Sequence, residues 1–231
     1  MSNNLFPKGS AAERKARMAD FLDSLEPPRD PFLEELREEA ARDDVPILRK
    51  ETESFLKTLL AFQRPQRILE IGTAIGYSAI LMAKAANCRI DTIENYPPRI
   101  EAAKRNIARA GLEGQIRLLE GDAGAWLSEL PEGLPYDFIF LDAAKGQYLI
   151  WLEDILRHMG PGSILLADNV LQEETVLESR FAVPRRERTT HARMREFLYR
   201  IKHDPRLTSS VLPLGDGVSL SVRNPDKSNQ T

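Results

Sequence analysis

The stretch Arg67 to Ala83, RILEIGTAIGYSAILMA, constrains this chain more than any other. A five-residue strand pattern runs into Gly72-Thr73-Ala74-Ile75-Gly76, and a helical pattern starts at Tyr77. Glycines at such a turn let the backbone approach a ligand closely and take positive φ. In an open α/β sheet the turn lies at the carboxyl ends of the strands, where ligands bind. The unit then repeats. Strands are expected at Arg67–Ile71, Arg89–Glu94, Ile116–Glu120, Phe138–Leu141 and Ser163–Ala167, with helices at Tyr77–Ala86, Pro98–Ala110, Ala125–Glu129 and Gln147–Met159. That alternation predicts an α/β fold, a parallel sheet with helices on both faces. Ser209–Leu214 and Val218–Val222 flank Gly215-Asp216-Gly217, a hairpin signal that adds an antiparallel pair at one edge.

Ahead of the sheet, Glu13–Leu25 and Pro31–Asp43 read as helices separated by Glu26-Pro27-Pro28-Arg29. Val45-Pro46-Ile47-Leu48 is a short extended stop. Glu51–Phe62 is amphipathic, with Phe55, Leu56, Leu59, Leu60 and Phe62 on its apolar side. The organisation is therefore a helical extension over 1–62, an α/β core over 63–223 and a mobile polar tail over 224–231, with residues 1–10 also mobile. No apolar run approaches the ~20 residues that cross a bilayer. The N-terminus has no apolar segment of a secretory signal, and the single cysteine, Cys88, suits a reducing compartment. A cytoplasmic protein with no membrane contact is expected.

Several acids fall just past strands. Glu70 sits inside the first strand end, an expensive place for a carboxylate without a partner. The spacing Glu70-x-Gly72-x-x-x-Gly76 is not the Gly-x-Gly-x-x-Gly of dinucleotide folds, which argues against NAD and FAD. A carboxylate there suits a cationic cofactor such as S-adenosyl-L-methionine (SAM), with its sulfonium and ammonium. Glu94, ending the second strand, is placed to bind both hydroxyls of a ribose. Asp122, after the third, reads either as a helix cap or as an acceptor from an adenine amino group.

The fourth and fifth strands end in Asp142 and in Asp168-Asn169. Neighbouring strands bring such side chains within a few Å of each other. Two carboxylates and an amide oxygen read either as a hard, all-oxygen set suited to Mg²⁺ or Ca²⁺ rather than zinc, or as a turn pair at Asp168-Asn169 and a helix cap at Asp142. Lys145 reads either as a general base or as a surface lysine at a helix start. His158, His191 and His203 show no ligand spacing. Net charge is only −3, but Arg180 to Arg206 holds nine Lys/Arg against three Asp/Glu, leaving the rest of the chain at −9. This basic island, with Arg185, Arg186 and Arg188 near the metal edge, reads either as a phosphate contact or as a solvated face ion-paired to the acidic N-terminal helices.

Taken together, LEIGTAIGYSA, DFIFLDAAKGQY, LLADNVL and LPLGDGVSLSV resemble the cation-dependent, catechol-type O-methyltransferases, over about Val45 to Val222. VPIL, ADNVL and PRRERTTHARMREF (Pro184 to Phe197) look most like the bacterial branch that methylates 5-hydroxyuridine in tRNA. The resemblance implies a class I, Rossmann-like seven-stranded sheet with its last strand antiparallel, and a homodimer. It implies SAM contacts at Leu48, Glu70, Gly72, Ser78, Glu94, Asp122, Ala123 and Asp142. It also implies Mg²⁺ (or Mn²⁺) on Asp142, Asp168 and Asn169, Lys145 as base, and a tRNA anticodon loop as partner, at Arg185, Arg186 and Arg188. Plant members acting on phenylpropanoid-CoA esters often carry Asp-Ala-Asp-Lys where this chain has Asp142-Ala143-Ala144-Lys145, which weakens that acceptor class. A small-molecule catechol or flavonoid enzyme, a non-catalytic binder on the same fold and a dehydrogenase are the competing readings.

Overall fold

The computed structural model describes residues 10–172 and 174–225. Three helices come first: α1 (Ala11–Ser24), α2 (Pro31–Arg42) and α3 (Lys50–Gln63). Local chemistry fixes their starts. Ser10 and Glu13 form a reciprocal capping box on α1, and the Asp30 side chain caps α2 ahead of Pro31. There follow β1 (Arg67–Ile71), α4 (Tyr77–Ala85), β2 (Arg89–Glu94), α5 (Pro97–Arg109), β3 (Ile116–Glu120), α6 (Ala123–Glu129), β4 (Tyr136–Leu141), α7 (Tyr148–Arg157), β5 (Met159–Ala167), α8 (Arg188–His203), β6 (Leu207–Leu212) and β7 (Val218–Arg223).

The seven strands form one sheet in the order β3-β2-β1-β4-β5-β7-β6. β1 to β5 pair in parallel, and β7 runs antiparallel to both β5 and β6. The chain winds outward from β1 to β3, returns, and continues from β4. The sheet therefore changes direction between β1 and β4, the place where open α/β sheets leave a crevice.

Strand alternation sends side chains to two cores. Ile68, Ile90, Phe138 and Phe140 pack against α4 and against Leu33, Leu36, Leu56 and Leu60 of α2 and α3. Leu69, Ile71, Ile139 and Leu141 pack under α6, α7 and α8, around Leu152, Ile155 and Phe197. Helices α2 and α3 thus share one core with the sheet. Among the described residues no helix is long and apolar enough to cross a membrane.

Several expected boundaries move. Phe62, expected on the apolar side of α3, is 80% exposed, because the buried stripe of α3 runs through Leu56 and Leu60 and the chain turns away at Arg64, in the left-handed region. The expected Gln147–Met159 helix begins after a 3₁₀ turn at Lys145–Gln147, and Met159 already belongs to β5. The first hairpin strand ends at Leu212, since Leu214 closes the turn by accepting from Gly217 N–H. The mobile segments fall largely at residues 1–9 and 226–231, outside the described residues. Within them, Asn224 is fixed, donating to Arg206 O and accepting from Thr208.

Candidate active site

Register places the key residues in one row. Ile71 pairs with Ile93 on one side and Leu141 on the other, and Leu141 pairs with Ala167. The next residue on each strand is Glu94, Gly72, Asp142 and Asp168. The ladder continues into that row: Gly72 N–H donates to Ile93 O, Asp142 N–H to Ile71 O, and Asp168 N–H to Leu141 O, each at 3.0 Å. Parallel pairing therefore converts four distant positions into one line at the carboxyl end of the sheet.

A cavity of about 710 Å³ opens above this row. Its walls include the glycine turn from Gly72 to Ala74, Tyr77 and Ser78 at the start of α4, Glu94, Asp122, Ala123, Trp151, and the segment from Pro46 to Arg49. Asp142, Lys145, Asp168 and Asn169 line its other end. That volume falls within the range of small-molecule sites. Gly72 is required here: at φ +106° a Cβ would lie 2.0 Å from the Asp142 carbonyl oxygen. The cofactor turn and the first acid of the metal set are in backbone contact.

The Glu94 carboxylate is pre-set. Its Oε2 accepts from Ala74 N–H at 2.9 Å, and its Oε1 accepts from Asn95 and Tyr96 N–H at 3.0 Å. Asp122 caps α6, accepting from Ala125 N–H at 3.1 Å, and also lines the cavity, so capping does not take it out of reach of a ligand. Glu70 differs from expectation. It is fully buried beneath the turn rather than on the cavity wall, and it accepts from Thr92. Burial pushes its carboxyl up to about 7 against the pull of Ser78 and Thr92, with Asp142 and Glu94 adding repulsion. Thr92, which donates to Glu70, also shares a hydrogen bond with Thr73 of the turn, so Glu70 reaches the turn only through that hydroxyl.

At the metal end, Asn169 takes φ 55°, a left-handed conformation that asparagine tolerates, which brings its amide back toward Asp142. Lys145 Nζ donates to Asp142 Oδ1 at 2.8 Å, to Asn169 Oδ1 at 2.9 Å and to Tyr148 OH at 2.9 Å. Two of the three oxygen donors, Asp142 and Asn169, thus converge on one cationic group, the chemistry a hard divalent ion also satisfies. Asp168, 3% exposed, is pushed up to about 7 by burial and by the neighbouring Asp142 carboxylate. A buried carboxylate beside a second, part-exposed one of like charge is relieved by positive charge between them. Among the described residues no three His, Cys, Asp or Glu side chains converge, so the donor set depends on the amide oxygen. Lys145 departs from a lowered-pKa base. Burial lowers its pKa, but the attraction of Tyr148 and Asp142 outweighs this and drives it upward, so the ammonium stays charged.

The basic island does not reach the cavity wall. Arg188 donates to Val183 O and Phe181 O, Arg193 to Gly146 O, and Arg195 to Val176 O. Arg200 and Arg206 pair with Glu153 of α7 rather than with the N-terminal helices. Arg185 and Arg186 remain exposed.

The model of the family described as O-methyltransferase matches residues 23–224. This chain belongs to the O-methyltransferase family. The methyltransferase is 39% identical to the catechol O-methyltransferase of Niastella koreensis, over 56% of this chain and 61% of that relative, less than two thirds of its length. It is 28% identical to a putative caffeoyl-CoA O-methyltransferase of Arabidopsis thaliana, over 96% of this chain and 99% of that one. The O-methyltransferase of Bacillus cereus, solved in complex with SAH, superposes with a TM-score of 0.80 at 27% identity, covering 90% of this chain and 97% of that one.

Three site features of the methyltransferase escaped the motifs. Trp151 forms part of the wall beside Gly124, yet in sequence it is one more apolar residue of a helix. Arg49 and Asp216 meet at 2.6 Å across the cavity mouth. Asp216 sat inside the recognised hairpin turn, but only the fold supplies its partner.

Proposed function

We propose that this methyltransferase is divalent-cation-dependent, takes its methyl group from SAM, and acts on a hydroxyl beside a second oxygen. The observation that carries this is the single row Glu94, Gly72, Asp142 and Asp168, which sets a cofactor wall and an all-oxygen donor set at two ends of one cavity. The residues fit both groups. The backbone from Gly72 to Ala74, Ser78, Glu94, Asp122 and Trp151 would hold SAM, which supplies an electrophilic methyl on its sulfonium. Asp142, Asp168 and Asn169 would hold Mg²⁺ or Mn²⁺, a Lewis acid that lowers the pKa of an acceptor hydroxyl when bound. The chain itself contributes positioning and charge. Lys145, hydrogen-bonded to Asp142 and Tyr148 beside the donor set, is placed to stabilise negative charge on the acceptor oxygen as the hydroxyl proton leaves to solvent.

The acceptor we favour is 5-hydroxyuridine in a tRNA anticodon loop, methylated to 5-methoxyuridine. Its 5-hydroxyl and O4 form the vicinal pair that this chemistry needs. Arg185 and Arg186 stand exposed on the connection between β5 and α8, with Phe181 85% exposed beside them. An aromatic ring among arginines suits an unstacked base and its phosphates. A small-molecule catechol is the second reading, supported by the commitment of Arg188, Arg193 and Arg195 to the protein's own carbonyls. Nucleoside mass spectrometry of tRNA from a deletion strain separates them. Accumulated 5-hydroxyuridine with lost 5-methoxyuridine is expected, and an unchanged tRNA profile refutes the tRNA acceptor. Full activity in excess EDTA refutes the metal.

A further inference from the structure

Behind the cofactor wall lies a charged cluster that the chemistry above does not use. Glu53 of α3 is 2% exposed amid an apolar surround, and Tyr77 at the start of α4 is 2% exposed. Arg37 of α2 joins them: its Nη2 donates to Glu53 Oε2 and to Tyr77 OH, both at 2.7 Å, while its Nη1 donates to the Leu48 carbonyl at 3.2 Å. The guanidinium also lies 5.0 Å from the centre of the Tyr77 ring. Tyr77 OH in turn donates to Glu53 Oε2 at 2.7 Å, and Lys57 adds a second pair to Glu53 at 2.6 Å.

A buried ion pair seldom adds stability over apolar side chains of similar volume, because desolvation offsets its attraction. What it supplies here is geometry. The segment from Pro46 to Arg49 has no helical or strand pairing, yet it forms one wall of the cavity. Tyr77 and Ser78, at the start of α4, line the same cavity. One guanidinium touches both walls. The planar fork reaches the Leu48 carbonyl with one nitrogen and Tyr77 with the other, which an ammonium cannot reproduce. At its far end the same segment is tied by Arg49 to Asp216.

We propose that Arg37, Glu53 and Tyr77 form a clasp that fixes the 46–49 segment over the cofactor, making Arg37 and Glu53 positioning residues for SAM. The inference rests on the SAM reading above. The clasp acts on how tightly the cofactor is held, and the acceptor end of the cavity does not depend on it.

The test is titration calorimetry of SAM into the wild type, Arg37→Lys and Glu53→Gln, with thermal melts and turnover on whichever proposed acceptor, the tRNA or a catechol, the wild type methylates. For Arg37→Lys the dissociation constant is expected to rise by roughly tenfold, the size of one lost charge-assisted hydrogen bond. The KM for SAM should rise in step, with kcat at saturating SAM retained. Glu53→Gln, which keeps the shape and a hydrogen-bonding oxygen, should lie between the two. Equal SAM affinity in all three proteins overturns the clasp, as does a lowered melting point with unchanged SAM affinity. A wild type that itself fails to bind SAM overturns the cofactor reading instead.

Discussion

Glu70 offers the sharpest test of how the site is built. It is fully buried, and burial pushes its carboxyl from 4.5 up to about 7, helped by repulsion from Asp142 and Glu94. The folded state therefore keeps a proton that the unfolded chain releases between those values, and stability falls as pH rises through that window. Below the unfolded value the acid costs nothing, and above about 7 the penalty is complete at about 3 kcal/mol. Glu70→Gln removes the titration while leaving an oxygen to accept from Thr92. Any constant cost of the new amide, such as an unpaired buried N–H, cancels when two pH values are compared. The stability of the variant relative to wild type should thus improve by about 2–3 kcal/mol between about pH 5 and about pH 8. For a domain of this size that is a relative gain of roughly 4–12 °C in melting temperature. Urea melts of both proteins across that range, without added SAM, measure it directly. A difference constant to within about 1 kcal/mol would show that Glu70 is not buried as an acid with a raised pKa.

Other consequences follow from the same geometry. Gly72→Ala drives a methyl group into the Asp142 carbonyl at positive φ, so it should cost more than about 3 kcal/mol in a thermal melt and abolish SAM binding. Asp142→Ala and Asp168→Ala should eliminate turnover while circular dichroism reports an intact fold, and EDTA should do the same to the wild type until Mg²⁺ is restored. Arg185→Ala/Arg186→Ala should weaken tRNA methylation and flatten its dependence on log salt by roughly 1.4, about 0.7 per lost phosphate contact on a single-stranded loop. Arg188→Ala should instead lower the melting temperature, since its guanidinium braces the Phe181 and Val183 carbonyls.

The parts of this protein that the sequence made legible are those governed by local rules. Apolar alternation located the five parallel strands, and Gly72 through Gly76 announced a turn needing positive φ. Asp142 and Asp168 were readable because each follows a buried strand at the functional edge. What stayed hidden depends on partners far apart in the chain. Glu70 looked like a cavity residue because its position on the strand says nothing of depth below the turn. The basic island looked like one surface because charge counts do not reveal that Arg193 and Arg195 cap carbonyls at Gly146 and Val176. Arg37 carried no signal, since an arginine on a largely polar helix is ordinary until Glu53, Tyr77 and Leu48 converge on it.

The contact between Gly72 and Asp142 explains why the two halves of the site are one structure. A residue with a side chain at position 72 would push β4's end away from β1, and Asp142 would leave the row it shares with Asp168. The spacing between the glycine turn and the Asp142–Asp168 pair is thus fixed by a strand ladder and a missing Cβ, elements far stiffer than a loop. Acceptor choice has no such anchor. On the acceptor reading proposed above, it would rest on the connection from β5 to α8 and on the exposed Phe181, where substitutions cost little stability. Two proteins with this same row could therefore share their methyl-transfer chemistry and differ wholly in what they methylate. In such a comparison, grafting the 171–187 connection between relatives should move the acceptor preference while leaving SAM affinity unchanged, because Arg37, Glu53 and the glycine turn lie outside it. An exchange that altered SAM affinity and left the acceptor alone would place specificity in the rigid row instead.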